Sequence, residues 1–152
     1  MILRIFIVSL LISLTALSGC GTAVSTELAD VCDRPIGTKV EISGYISIPK
    51  ETTILQHMKN GEIGETGVQL RITADHTGTG DSVMAAFWTS SKAEPNRIKP
   101  AWSNGYVSKD LILYLDDGST SAGGTLVRLS GVTVSDERFG CYVNVDRITM
   151  IP

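Results

Sequence analysis

Hydrophobic and polar residues alternate along several short segments of this chain, and a period of two residues is typical of half-buried β-strands. In segment 39–48 the residues on one side are Val40, Ile42, Gly44, Ile46 and Ile48. In segment 68–74 the inward positions are Val68, Leu70, Ile72 and Ala74, and the outward positions are Gln69, Arg71 and Thr73. We therefore predict a strand at each of these two segments.

Shorter apolar segments continue the pattern toward the C-terminus. Residues 111–115 (LILYL) form a continuous apolar run and predict a buried strand, whereas residues 83–88 (VMAAFW) fit either a strand or a helix. Residues 125–134 alternate and then change phase at the Ser-Gly pair 130–131, which predicts a strand with a β-bulge. The last strand is predicted over residues 141–151, with one face formed by Cys141, Val143 and Val145.

Two stretches between these strands are predicted as loops. Residues 49–66 contain one proline and two glycines, and only a helical turn over residues 53–59 is expected there. Residues 75–110 are rich in turn-forming residues on both sides of segment 83–88. One more helical turn is expected at residues 27–32. The chain is therefore expected to contain little helix.

Five or six strands with little helix predict an all-β fold for residues 36–152. A small antiparallel barrel is the first interpretation, and an antiparallel β-sandwich is the alternative. Two strands carry a glycine near their centres, Gly44 and Gly131. A glycine in this position weakens a strand, so it is expected where a sheet coils sharply, as in closed barrels.

The glycine and apolar positions of these two strands resemble those of the OB-fold, and within it of the bacterial tRNA_anti-like proteins. The first and fourth strands of that family read Gly-x-x-Val-x-[VI]-x-Gly. The matching residues are Gly37, Val40, Ile42 and Gly44, then Gly124, Val127, Leu129 and Gly131. The resemblance spans about residues 36–151 and implies a barrel with its ligand face on strands two and three. The candidate ligand-binding residues are then the outward ones of the second strand, Gln69, Arg71 and Thr73.

Aromatic residues are the other candidates for ligand contacts. Tyr45, Trp88, Trp102 and Tyr106 either supply stacking surfaces on the barrel or fill its core and cover its ends. The sequence alone leaves both interpretations open.

Side chains suited to catalysis are sparse. The two histidines, His57 and His76, lie in different predicted loops. His76 with Asp75 and Asp81 has the ligand types for a cation, but a hydrated turn is the alternative for this segment. The sequence contains no nucleophile elbow, phosphate-binding loop or zinc-protease motif. We therefore predict no catalytic residue, no metal site and no cofactor.

The N-terminus has a different pattern. Arg4 is followed by an uncharged, largely apolar run over residues 5–17, and small residues lead from there to Cys20. The run is shorter than the roughly 17 to 25 residues that cross a bilayer. It also lacks the polar face of an amphipathic core helix. The pattern is typical of an export signal over residues 1–19.

The end of this signal, Leu17-Ser18-Gly19-Cys20, resembles the lipobox of bacterial lipoproteins. In that family the cysteine thiol receives a diacylglycerol, the signal is cut before the cysteine, and the new amine is acylated. The resemblance implies lipidation of Cys20 and a short tether over residues 20–35. It also implies an exported protein held by lipid on the cell membrane or the outer membrane, since two acyl chains anchor a protein stably.

Two further cysteines remain, Cys32 and Cys141. In an oxidising compartment a disulfide between them is the expected state. In the chain-entropy model, a disulfide that closes a loop of about 110 residues stabilises the fold by on the order of 4 to 5 kcal/mol. A reactive or metal-binding thiol pair is the alternative, although neither cysteine has CxxC spacing.

The charge of the chain narrows the class of partner. Thirteen Lys and Arg stand against 16 Asp and Glu, a net charge of −3, and the basic residues do not cluster. Nucleic acid is therefore not expected, because neutralisation of phosphate by Lys and Arg dominates that affinity. We predict a membrane-anchored, non-catalytic module that binds an envelope protein, a glycan or a small ligand. The alternatives are an exported hydrolase built on loops 49–66 and 75–110, and a structural or assembly factor of the cell envelope.

Overall fold

The computed structural model describes residues 21–49, 53–99 and 111–152. The export signal, Cys20, Trp102 and Tyr106 lie outside these ranges. Within them are one 3₁₀ helix, Leu28–Asp33, and ten strands. The strands are β1 Val24–Ser25, β2 Lys39–Ser47, β3 Thr53–Lys59, β4 Glu62–Thr73, β5 Ser82–Trp88, β6 Arg97–Ile98, β7 Ile112–Tyr114, β8 Thr120–Ala122, β9 Leu126–Asp136 and β10 Gly140–Met150. The all-β prediction is confirmed. No helix of the described residues has the length and apolarity needed to cross a bilayer.

Five of the strands form a closed series of hydrogen-bonded neighbours, which we call the five-strand circuit. In order around it lie β2, β9, β10, β5 and β4, and β4 pairs with β2 again. Every pairing in the circuit is antiparallel except that of β10 with β5. The sheet, which β1 and β3 extend to seven strands, is therefore mixed. In this respect it differs from the antiparallel arrangement predicted.

The interior of the circuit is filled by alternate residues of its strands, including those that the sequence pattern placed inward on β2, β4 and β9. Val40, Ile42 and Ile46 of β2 are buried, and so are Val127 and Leu129 of β9. β4 and β5 contribute Val68, Leu70, Ile72, Val83, Ala85 and Phe87. Burying a side chain of this size stabilises the fold by about 1.5 to 3 kcal/mol. One inward assignment is wrong, because Ala74 lies after the end of β4 and is exposed.

The predicted loop 49–66 is wrong, because β3 and β4 form a long hairpin there. The segment predicted as a helical turn, 53–59, is β3 itself. It does not alternate in sequence because most of its side chains are exposed on both faces of the hairpin. The overlooked signal is the turn Asn60-Gly61, in which both residues have positive φ, 55° and 84°. That dipeptide is the strongest short-range signal for a two-residue hairpin turn.

The predicted bulge at residues 130–131 is also corrected. β9 keeps its alternation through this pair, and the register shift lies on the neighbouring strand, between Val145 and Arg147 of β10. A Cβ on Gly131 would meet the carbonyl oxygen of Asn144. The glycine therefore allows β10 to pass close to β9 rather than causing a bulge in its own strand.

Segment 83–88, for which the sequence left strand and helix open, lies in β5. In the stretch after it, which was predicted as a loop, residues 97–98 form β6, which joins β7 and β8 in a three-stranded sheet. Asn96 ties this small sheet to β10. Its amide nitrogen donates to the carboxylate of Asp116 at 3.0 Å, and its amide oxygen accepts from the Ile148 backbone N–H at 2.8 Å.

The disulfide between Cys32 and Cys141 is confirmed, with an S–S distance of 2.12 Å across 109 residues of sequence. It joins the 3₁₀ helix to the beginning of β10. The helical turn expected at residues 27–32 corresponds to this 3₁₀ helix. The disulfide therefore fixes the N-terminal segment covalently to β10.

A cleft beside Trp88 as the candidate functional site

The candidate site is a cleft of about 390 Å³ on the outer side of the five-strand circuit. One wall is β3, and the opposite wall is the turn that joins β9 to β10. The floor consists of outward residues of β5 and β10, namely Ala86, Trp88, Tyr142 and Asn144. A cavity of this volume is within the size range of sites for small ligands.

Strand register explains why these floor residues meet. Asn144 is the cross-strand partner of Ala86, and Tyr142 is the partner of Met84. Because paired residues point to the same face, all four side chains lie opposite the buried Val83, Ala85 and Phe87. The small side chain of Ala86 leaves depth at the centre of the floor. The cleft is thus the reverse face of strands whose inward residues form the core.

The indole of Trp88 is held in one position by three neighbours. Its Nε1 donates a hydrogen bond to Oδ1 of Asn144 at 3.2 Å. Gly67, its partner on β4, lies so close that an added Cβ would be 3.0 Å from Cε3 of the indole. The imidazole of His57 meets the indole edge-on, with ring centroids 6.3 Å apart. The ring is half-buried, so part of it stays accessible from the cleft.

The wall opposite β3 presents an acid, a base and an aromatic ring. Asp136 accepts a hydrogen bond from the Arg138 backbone N–H at 2.8 Å, and the Arg138 guanidinium lies 3.8 Å from the same carboxylate. The guanidinium also lies over the ring of Phe139, 5.3 Å from its centroid. These contacts orient an otherwise exposed side chain. The wall offers a ligand both a hydrogen-bond acceptor and a cationic donor.

Tyr142 adds a neutral hydroxyl to the floor. Burial, and to a lesser extent the negative charge of Asp136, raises the pKa of its phenol above the ordinary 10.0. The phenol therefore stays protonated at neutral pH. It is able to donate one hydrogen bond and accept others.

A second cleft, of about 310 Å³, adjoins the first on the other side of Trp88 and Asn144. Asn96, Arg97 and Asp146 line it. Trp88 and Asn144 line both clefts. The hydrogen-bonded side chains of Trp88 and Asn144 therefore lie between the two clefts. A ligand that extends beyond one cleft would contact both sides of this pair.

The residues predicted from the second strand do not form one exposed face. Arg71 is exposed, but Gln69 is 3% exposed and Thr73 is fully buried, so their predicted outward exposure is wrong. β3 pairs alongside Gln69, with Thr53 as its neighbour. The hydroxyl of Thr73 donates to the Asp75 carbonyl at 2.8 Å. Thr73 therefore has a structural contact that explains its burial.

Gln69 nevertheless lies next to the cleft. Its partner on β5 is Ala86, in the centre of the floor. Within the part of the chain that the structure describes, its Nε2 is buried and has no hydrogen-bond partner. A buried donor left unpaired destabilises the fold by about 1 to 3 kcal/mol.

The turn at residues 75–82 supports the hydrated-turn interpretation. The Asp75 carboxylate accepts hydrogen bonds from the hydroxyl groups of Thr77 and Thr79, at 2.6 and 3.0 Å. The bond from Thr77, the largest of these effects, holds the pKa of Asp75 below its ordinary value. Across residues 21–49, 53–99 and 111–152, no three His, Cys, Asp or Glu side chains come together as a metal site.

Of the predicted aromatic candidates, Trp88 is in the cleft, and Tyr45 packs edge-on against His76 instead, 6.2 Å away. Trp102 and Tyr106 lie outside the described residues. Sequence reasoning missed Tyr142 and Asn144, although alternation in segment 141–151 already placed them opposite Val143. It missed the β3 wall because that segment was predicted to be a loop.

Comparison of the sequence with protein-family models and with curated proteins gave no match.

Proposed function

We propose that this chain is an exported, lipid-anchored and non-catalytic binding module, and that its ligand is a glycan bound in the cleft beside Trp88. The observation that carries the proposal is the indole of Trp88. The ring is fixed by Asn144 and Gly67, partly accessible, and set among polar side chains.

The chemistry of the cleft favours a sugar. A sugar ring has an apolar face of C–H groups that packs on an aromatic ring, and hydroxyl groups around its rim. The cleft supplies an indole with an amide, a carboxylate, a guanidinium and a phenol around it. An anionic polymer such as nucleic acid is disfavoured, because Arg138, the cation of this wall, already lies beside Asp136.

The position of the cleft supports an OB-like fold. The five-strand circuit has the strand number of the OB barrel, with β2, β4, β5, β9 and β10 as its first to fifth strands. OB ligands bind on strands two and three and on the loops between strands one and two and between strands four and five. β3 lies in the first of these connections, and the turn at Asp136–Gly140 is the second. We therefore propose an OB-like domain similar to the tRNA_anti-like proteins.

Export and lipidation of Cys20 complete the proposal. The disulfide between Cys32 and Cys141 supports export, because disulfides persist outside the reducing cytosol. Only three residues lie between Cys20 and β1, so a lipid on Cys20 keeps the domain beside the membrane. The proposed partners are thus the lipid that holds the chain and a glycan of the envelope.

Calorimetric titration of the detergent-solubilised mature protein with an N-acetylglucosamine tetramer tests this function. We expect saturable binding that Trp88→Ala weakens at least tenfold, which corresponds to about 1.4 kcal/mol. Tyr114→Ala is the matched control, because Tyr114 is a half-buried aromatic in the three-stranded sheet and lines neither cleft. The tetramer is expected to be recovered uncut, since the proposed module is not a hydrolase.

Equal losses from Trp88→Ala and Tyr114→Ala would contradict the assignment of the site. The absence of binding to every soluble envelope oligosaccharide tried would contradict the glycan. Cleavage of the tetramer would favour the hydrolase instead. Saturable binding of a purified envelope protein that Trp88→Ala abolishes, without any glycan binding, would favour the assembly factor.

A further inference from the structure

The direction in which the tether leaves the domain is fixed by β1. β1 pairs with β2 in parallel, with Val24 opposite Val40 and Ser25 opposite Glu41. Before Val24, the chain therefore extends toward the same end of the domain as the turn at Pro35–Thr38, which precedes Val40. Three residues lie between Cys20 and Val24, and the four Cα-to-Cα steps across them span at most roughly 14 Å. A lipid on Cys20 consequently holds this end of the domain at the membrane.

The same end carries the most exposed large hydrophobic side chain of the described residues. Ile36 is 72% exposed, and Val24, at the start of β1, is 45% exposed. Ile54, Met58 and Ile63 are exposed to a comparable degree, but they lie on the β3–β4 hairpin across the cleft. We call the region of Val24, Ile36 and the turn Pro35–Thr38 the tethered end.

Hydrogen bonds to β9 hold the turn that carries Ile36. The Gly37 N–H donates to the Thr133 carbonyl at 2.8 Å, and the Thr133 hydroxyl donates to the Pro35 carbonyl at 2.8 Å. The Cys32–Cys141 disulfide fixes the chain just before this turn. Ile36 is thus presented in one position, so inserting it into another phase requires little further ordering of the backbone.

From the tether length and this exposed side chain we infer that the tethered end faces the bilayer and that Ile36 inserts into the lipid interface. The inference rests on the proposed acylation of Cys20. The bilayer is the occupant because a lipid on Cys20 lies within four Cα-to-Cα steps of Val24, at the same end of the domain as Ile36. β9 runs from Thr133, which contacts the tethered end, to the turn at Asp136–Gly140, which is one wall of the cleft. This wall therefore lies on the same side of the domain as the tethered end, and the ligand site opens beside the membrane surface.

A single fluorescent label tests this orientation. The chain has three cysteines, and when Cys20 is acylated and the other two are bonded no thiol is free. Ile36→Cys therefore introduces one reactive thiol, which is labelled with an environment-sensitive nitrobenzoxadiazole dye. Ile63→Cys is the matched control, since Ile63 is 56% exposed but lies near the hairpin tip. Both mature lipoproteins are reconstituted into vesicles of phosphatidylethanolamine and phosphatidylglycerol.

We expect the label at position 36 to emit at shorter wavelength than the label at position 63. It is expected to be quenched by spin-labelled lipid and protected from aqueous iodide, while the label at position 63 shows the opposite behaviour. Circular dichroism checks that both variants keep the β-sheet signal of the unsubstituted protein.

Three results would overturn the inference in distinguishable ways. If both labels are quenched equally by iodide while the protein sediments with vesicles, the anchor stands and the orientation is wrong. If position 36 is protected from iodide but untouched by lipid quencher, another protein surface covers Ile36. If the protein does not sediment and Cys20 reacts with the dye, the proposed anchoring fails and the inference fails with it.

Discussion

The inner and outer faces of the five-strand circuit belong to the same strands and differ in almost every other respect. The inner face of β5 is Val83, Ala85 and Phe87, all buried in one aliphatic and aromatic core. The outer face of that strand includes Ala86 and Trp88, which form part of the cleft floor. A shift of one residue along a strand therefore separates the residues that hold the fold from those proposed to bind.

The two faces have different requirements. The inner face depends on apolar volume, which similar hydrophobic residues supply almost equally well. The outer face depends on particular contacts, such as the hydrogen bond from Trp88 to Asn144 and the close approach of Gly67. Substitutions on the inner face should therefore lower stability, whereas substitutions on the outer face should mainly lower binding.

The largest effect is expected from Leu129→Ala. Leu129 is fully buried inside the circuit, and removing three side-chain carbons there should lower the free energy of unfolding by about 3 kcal/mol. Met58→Ala is the control, since Met58 is 55% exposed on β3 and should change stability by less than about 0.5 kcal/mol. Urea denaturation followed by circular dichroism measures both. Equal losses would mean that the inner face is not the core.

Alternation explains why the inner face could be predicted from sequence. Every second residue is buried over residues 40–46 of β2, 68–72 of β4 and 127–133 of β9, so the period of two residues directly marks Val40, Ile72 and Leu129 as core. β3 escaped prediction because neither of its faces is buried, and a strand with two exposed faces carries no such period. The signal in its sequence is the dipeptide Asn60-Gly61, which predicts a two-residue hairpin turn.

Gly67→Ala is expected to lower stability less than Leu129→Ala does, but to disturb the cleft more. The added Cβ would lie 2.9 Å from the Phe87 carbonyl oxygen and 3.0 Å from the Trp88 ring. We expect a loss of roughly 1 to 2 kcal/mol and a several-fold loss of oligosaccharide affinity as the indole is displaced. Gly64→Ala is the control on the same strand, where the nearest atom is Cβ of Lys59 at 3.2 Å. Unchanged affinity in Gly67→Ala would show that the position of the indole does not matter.

The smallest effect is expected from the outer-face phenol at alkaline pH. Because the pKa of Tyr142 is raised above 10.0 in the folded protein, the unfolded chain loses this proton first. The stabilisation that comes from this raised pKa is fully present below the unfolded-state pKa of 10.0, and it is lost as the pH rises through the higher pKa of the folded protein. Ultraviolet titration should show a late-ionising tyrosine that Tyr142→Phe removes and that Asp136→Asn shifts toward lower pH. A late component that persists in Tyr142→Phe would contradict the assignment.

The cleft could be predicted only in part, for a reason that concerns distance along the chain. Alternation places Tyr142 and Asn144 outward, but it does not orient Trp88 in the continuous apolar segment 83–88. It also does not say which strands are neighbours. Their meeting depends on the parallel pairing of β5 with β10, which are more than fifty residues apart in sequence. Gln69 and Thr73 were misplaced for a related reason, because neighbouring strands cover residues that alternation alone leaves exposed.

Whether the cleft beside Trp88 binds a glycan is decided by the amide proton–nitrogen correlation spectrum of the mature protein, recorded during titration with the N-acetylglucosamine tetramer. The indole signal of Trp88, assigned with Trp88→Phe, is predicted to move and saturate together with the amide signal of Asn144, while the amide signal of Leu129 stays in place. Saturable shifts elsewhere with the Trp88 indole signal unmoved would contradict the proposal that this cleft is the binding site.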